Sequence, residues 1–164
     1  LRSKSSDQTR SSLSVAIHLL SRRDYSCRAL ARKLTDRGFP ESEVEGVIAT
    51  LQQAGYLDDR RLAGSIALSR LMRGESVGRV LEQKLRQRGI SQEIAREAVE
   101  RGETEVDTRS VARRLLERRY PGVTGSGDRA ARRRAIDFLR RRGFSYDDIT
   151  HAMGWEGEDD NDGE

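Results

Sequence analysis

An all-α fold is predicted, an elongated tandem array of three three-helix repeats, and three observations predict it. One apolar pattern occurs three times, as Leu30-x3-Leu34-x3-Gly38-Phe39, Leu81-x3-Leu85-x3-Gly89-Ile90 and Ala135-x3-Leu139-x3-Gly143-Phe144. Matching apolar positions of the first two copies keep a constant offset of 51 residues. No stretch alternates Val, Ile or Thr with polar residues, so the signature of a strand is missing. A fixed register over 45–50 residues marks an internal repeat.

In the first repeat Ala16 and Leu20 mark helix one, Leu30 and Leu34 helix two, and Val44, Val47, Ile48 and Leu51 helix three. The second repeat offers Ala67 and Leu71, then Leu81 and Leu85, then Ala95, Ala98 and Val99. The third offers Ala112 and Leu116, Ala135 and Leu139, then Ile149, Ala152 and Met153. Spacing by four places each set on one helix face. The glycine ends the second helix, because it accepts a left-handed backbone at low cost, and the following Phe or Ile can fold back on the last turn. Helix starts are marked by Asp58 or Asp59, Ser91, Asp107 or Thr108, and by Ser145 with Asp148 at capping-box spacing. The expected division is a disordered segment at 1–10, repeats at 11–57, 58–106 and 107–154, and a disordered acidic tail at 155–164. The third repeat carries a glycine-rich insertion at 121–128, read as a flexible spacer.

Composition limits the function. Of 164 residues 35% are charged and 5% aromatic, so each unit must be built on Leu, Ile, Val and Ala. A small three-helix unit buries little surface alone, and neighbours in a row can share side chains at their junctions. No apolar run approaches the roughly 20 residues of a membrane span, and the first residues lack a leader pattern. The chain opens at Leu1 rather than Met, so the natural start is expected elsewhere. The single cysteine, Cys27, permits no internal disulfide and no cysteine metal cage, and a reducing cytoplasm is the expected location.

Residues 156–164 hold six acids and no base, so the remainder carries about +10 against a total of +4 (4 + 6). Of the 31 bases 28 are arginine, which suits planar contacts to phosphate, although a GC-rich coding bias gives the same excess. A positive body favours an anionic partner, nucleic acid first.

No catalytic, cofactor or metal site is expected. His18 and His151 lie in different repeats, and Asp58-Asp59 stands at a helix start, where capping accounts for it. Gly122-Val-Thr-Gly-Ser-Gly127 matches the spacing of a phosphate loop, but Asp128 occupies the lysine position and no strand precedes it.

What remains is charge on helical faces. At 100° per residue Ala131, Ala135, Phe138 and Leu139 of the 129–142 helix share one side. Arg129, Arg133, Arg140 and Arg141 fall opposite, with Arg132 and Arg134 on the flanks. One aspartate in this helix, Asp137, cannot neutralise so many arginines. The matching helices place Arg28 and Arg32, then Arg79 and Arg86, outward, and the first helix of the third repeat adds Arg113, Arg114, Arg118 and Arg119. These arginines are the candidate binding residues. A helix-turn-helix reader needs basic or amide side chains on its last helix. Here the third helices begin Ser42-Glu-Val-Glu, Ser91-Gln-Glu and Tyr146-Asp-Asp, so contact with phosphate is favoured over base reading.

Residues 16–154 resemble the RecX family of bacterial recombination regulators. The resemblance rests on the three Gly-Phe or Gly-Ile patterns, on Gly55-Tyr-Leu-Asp-Asp-Arg-Arg-Leu-Ala63, on Arg70-x3-Gly74 and on Arg142-Gly143-Phe144. It implies three tandem three-helix repeats; a monomeric, non-enzymatic protein is expected. It also implies binding to RecA and its filament on single-stranded DNA, with inhibition of filament growth, ATPase, strand exchange and co-protease activity. Single- or double-stranded DNA is a further expected partner through backbone phosphates. A sequence-specific duplex-binding factor and a protein-interaction scaffold without DNA affinity stay open. The acidic tail is either a solubilising end or a competitor of DNA for the basic face.

Overall fold

The computed structural model describes residues 11–125 and 127–155; the expectations for 1–10 and for the acids from Glu156 onward lie outside it. Among the described residues the secondary structure is helical throughout. The first repeat comprises α1 (Ser12–Leu20), α2 (Cys27–Thr35) and α3 (Glu41–Gln53), and the second α4 (Asp59–Arg73), α5 (Gly78–Gln87) and α6 (Gln92–Glu105). The third comprises α7 (Thr108–Arg119), a 3-10 turn (Val123–Gly125), α8 (Arg129–Arg140) and α9 (Tyr146–Met153).

The caps follow from the residues at each start. Asp58 accepts the Arg61 N–H, Ser91 the Ile94 N–H, and Asp107 the N–H groups of Arg109 and Ser110. Ser145 and Asp148 form the reciprocal capping box. Each second helix closes as its glycine predicts. The N–H of Phe39, Ile90 and Phe144 reaches back to the carbonyl of Leu34, Leu85 and Leu139, satisfying carbonyls that the helix end leaves free.

The leucines at spacing four are the core. Leu30, Leu34, Leu81, Leu85 and Leu139 are fully buried, each worth roughly 1.5–3 kcal/mol of removal from water. The core is in two parts. Repeat one packs on its own cluster around Leu30, Leu34, Val44 and Leu51, whereas repeats two and three share one cluster from Ala63 to Met153. Sharing across junctions therefore holds for the second junction, through Leu71, Val111, Leu115 and their neighbours, and not for the first. The insertion is more than a spacer: Val123 is buried in the shared cluster and Asp128 caps α8, while Tyr120, just before it, packs edge-on against Phe138 at 5.6 Å.

Neighbouring repeats meet helix end to helix start. The C-terminal end of α5 abuts the start of α2, where the Ser26 hydroxyl donates to the Arg88 carbonyl at 2.6 Å. The C-terminal end of α8 abuts the start of α5 in the same way, the Val77 N–H donating to the Arg142 carbonyl at 2.8 Å. A carboxylate completes each joint: Asp59 accepts the Cys27 N–H at 2.9 Å, and Glu103 accepts the Gly78 N–H at 2.9 Å. Both hold negative charge at a helix N-terminus, the favourable end. Burial raises the Glu103 carboxyl above its ordinary value, against the lowering effect of the Gly78 bond.

Gly89 and Gly143 serve twice here. Their φ values of 90° and 93° suit glycine, and a Cβ would strike Ser26 Oγ at the first junction and the Val77 carbonyl at the second. Gly38 has the same φ of 89° with open space around it. Gly38→Ala is therefore expected to cost only the left-handed backbone term, about 1–2 kcal/mol. Gly143→Ala should cost at least about 1 kcal/mol more, because the junction hydrogen bond is lost as well. Denaturant unfolding of the two variants measures the difference, and equal losses would show that the junction contributes nothing.

Candidate functional site

Two open grooves lie at the two junctions. The first is lined by the α1–α2 loop and α2, by α4, and by the end of α5, and has a volume of ≈ 830 Å³. The second is lined by the end of α4 and the loop after it, by α7, and by the end of α8, with a volume of ≈ 960 Å³. Arg23, Arg28, Arg32, Lys33, Arg86 and Arg88 line the first, with Asp24 as its acid. Arg73, Arg114, Arg118, Arg119, Arg141 and Arg142 line the second, with Glu75 as its acid. Each groove thus brings six bases against one acid.

Not every hollow of the molecule carries such an excess. A third hollow, between α4 and α6, is lined by three bases (Arg60, Arg61, Arg101) and three acids (Asp58, Glu97, Glu105). Arg60 pairs there with Glu97, and Arg101 with Glu105 at 3.2 Å. In the second groove Glu75 is already engaged, 3.2 Å from Arg70 and 3.7 Å from Arg73. Arg114, Arg118, Arg119, Arg141 and Arg142 share this groove with no second acid among its lining residues, and the charges of Arg141 and Arg119 act on Arg142.

Arg142 shows the strain of this crowding. Its guanidinium lies 3.7 Å over the Phe138 ring and donates to the Phe138 carbonyl at 3.2 Å. Burial first, then the charge of Arg141, pulls its pKa down, although a guanidinium stays protonated at any ordinary pH. In the first groove Arg23 stacks over Tyr25 at 4.5 Å. Such rings hold a guanidinium in place while leaving its other face open. Both grooves have apolar floors, Leu62 and Ile66 in the first, Val111 and Leu115 in the second, with the exposed Met72 at the edge of the second.

The sequence-predicted arginines divide among several places. Arg28, Arg32 and Arg86 come together in the first groove, and Arg114, Arg118 and Arg141 in the second. Arg113 faces a separate hollow beside Tyr120 and Met153, 3.7 Å from Glu117. Arg134 approaches Asp128 at 3.9 Å, and Arg132 is half-buried with an unpaired Nε. Arg79, Arg129, Arg133 and Arg140 are exposed and line neither groove. The binding list drawn from the sequence omitted Arg23, Lys33, Arg73, Arg88 and Arg142. Their signal was position near a loop or helix end, next to the repeat's own punctuation.

No arrangement for nucleophilic or metal chemistry was found among the described residues. Cys27 is half-buried, and its thiol is pushed up to about 11, chiefly by burial and then by Asp59, which works against a thiolate. Among the described residues no cluster of three or more His, Cys, Asp or Glu side chains could hold a metal ion, and no helix is long and apolar enough to cross a membrane.

Comparison with known proteins agrees with this architecture. Models of the first, second and third three-helix domains of RecX match residues 13–51, 58–99 and 107–153 in order. The chain belongs to the RecX family. It is 39% identical over 145 residues to the regulatory protein RecX of Halorhodospira halophila, covering 88% of each chain. It is 36% identical over 133 residues to that of Trichlorobacter lovleyi, covering 80% of this chain and 86% of the other. The crystal structure of RecX from Lactobacillus salivarius shares the fold, with a TM-score of 0.76 at 19% identity over 88% of this chain and 93% of that one. RecX is a family of regulatory proteins, not of enzymes.

Mutual repulsion in the grooves has a measurable consequence. Like charges within a Debye length, about 10 Å at 0.1 M salt, are relieved by screening. The melting temperature of this RecX-family chain should rise between about 10 mM and 300 mM NaCl. Arg119→Gln with Arg141→Gln should flatten the rise and stabilise the low-salt form by about 0.5 kcal/mol. Calorimetry at several salt concentrations checks both, and a melting point that falls with salt in the unaltered chain would contradict the picture.

Proposed function

We propose that this RecX-family chain inhibits RecA by lying in the helical groove of the filament that RecA forms on single-stranded DNA. There it bridges successive subunits and limits filament growth, and with it ATPase, strand exchange and co-protease activity. The observation that carries the reading is the placement of arginine, six bases against one acid, in a groove at each junction of the joined repeats. The protein acts by occupancy: it needs to hold a polymer, not to alter it chemically.

Two sets of arginines divide the work. Arg129, Arg133 and Arg140 project from the outer side of α8 beyond the second groove and are free to meet nucleic-acid phosphates. The grooves face the filament surface. A duplex reader is disfavoured by the third helices. The first turn of α3 presents Glu41 and Glu43, and Asp148 of α9 is consumed by its capping box and by the Thr108 hydroxyl at 2.7 Å.

Filament ATPase on single-stranded DNA tests the reading. Inhibition is expected at well below one chain per RecA subunit, as growth blocking requires; undiminished ATPase at one-to-one would overturn it. If Arg129, Arg133 and Arg140 neutralise about three phosphates of a single strand, log affinity falls with log salt at a slope near −2, about fourfold per doubling. Replacing all three by Ala should remove most of that slope. An unchanged salt dependence would take these residues out of the interface.

A further inference from the structure

The two grooves resemble each other beyond what a shared repeat requires. Asp24 and Glu75 stand 51 residues apart, the offset that relates the first two repeats. Arg88 and Arg142 stand 54 apart, as do Leu81 and Ala135, and Ile66 and Val111 stand 45 apart, as do Ala67 and Ala112. Both grooves are therefore the same place in the repeat, with the same acid, the same apolar floor position and the same closing arginine. Most of the remaining bases, however, come from non-equivalent positions. The first groove draws Arg28, Arg32 and Lys33 from α2, and the second draws Arg114, Arg118 and Arg119 from α7. Equal charge reached from different positions is not an echo of duplication. It points to one requirement met twice.

We infer that the two grooves are two copies of one receptor, each taking the same acidic segment, with apolar side chains among its carboxylates, from one of two neighbouring subunits of the protein polymer. The inference rests on the filament reading and deepens it by naming what the grooves hold. Carboxylates match the fork of an arginine in paired hydrogen bonds. The apolar surface decides for peptide over nucleic-acid backbone, since a sugar-phosphate chain has no apolar side chains to cover the half-buried Leu62 and Ile66 of the first groove or the exposed Met72 of the second. Discreteness points the same way. The grooves have no lining residue in common, whereas phosphates recur at every nucleotide and call for a continuous stripe. Two linked sites on one chain bind a polymer far more tightly than either binds a lone subunit, by about 10²–10⁴ when the geometry allows both to engage.

The test uses the full chain and two triple variants at exposed positions, Arg28→Ala/Arg32→Ala/Arg86→Ala and Arg118→Ala/Arg119→Ala/Arg141→Ala. Each is titrated against RecA filaments on single-stranded DNA, against unpolymerised RecA and against a bare single-stranded oligonucleotide, with helicity and melting point as folding controls. The unaltered chain should bind filament at least about 100-fold more tightly than unpolymerised RecA. Either triple variant should lose that advantage to a similar extent, binding both forms of RecA within a few-fold and keeping most of its affinity for the oligonucleotide. Loss confined to one variant would overturn the inference, because it leaves a single receptor. Equal loss on the bare oligonucleotide would also overturn it, by making the grooves nucleic-acid sites. A chain that binds no filament at all would instead defeat the underlying filament reading, and so the two failures are distinguishable.

Discussion

A helix ends in carbonyls that need donors, and begins with N–H groups that need acceptors. The array depends on bringing these two needs together. The carbonyl of Arg88 meets the hydroxyl of Ser26, and the carbonyl of Arg142 meets the N–H of Val77, so each joint places the negative end of one helix dipole against the positive end of another. Glycine makes the approach close enough, at Gly89 and Gly143, and Asp59 and Glu103 take the N–H groups left over. From this joint follows the spacing of the repeats, and from the spacing follow the grooves. Arg88 and Arg142 stand at the joint and at the groove wall together, so the contact that builds the array also begins each basic surface.

Concentrating positive charge opposes folding, and the fold offsets it locally. Arg142 spreads its apolar stem and planar head over Phe138, which Tyr120 supports edge-on. The 3-10 turn that brings Tyr120 and Val123 into place belongs to the insertion of the third repeat, and is thus part of how the second groove is held. Elsewhere acids and bases neutralise each other, as between α4 and α6. The grooves, by contrast, each hold six bases against one acid.

Much of this could be read from the chain. The positions of Leu30, Leu34, Leu81, Leu85 and Leu139 were legible because burial on one face imposes a period that sequence displays directly. Asp58, Ser91, Asp107 and Ser145 were legible because capping acts within three or four residues. The grooves were not legible, since their walls come from two repeats and three elements. A helical wheel sorts Arg141 by its own helix, and cannot show that Arg114 or Arg73 lies across from it. The closeness of Gly143 to Val77 is likewise a tertiary fact that a left-handed turn residue does not announce. The separate core of the first repeat was missed for the same reason, because apolar periodicity says which face is covered but not what covers it.

That separation matters for how the molecule can deform. The second and third units are welded by a common apolar interior, while the first is attached through a polar seam of hydroxyl, carboxylate and backbone bonds. Hydrogen bonds of this kind can lengthen or exchange with water at small cost, whereas interlocked leucines cannot slide without opening voids. Torsional compliance is therefore concentrated at a single seam. A body hinged there can change the angle between its two basic grooves, where an unjointed rod would hold that angle fixed.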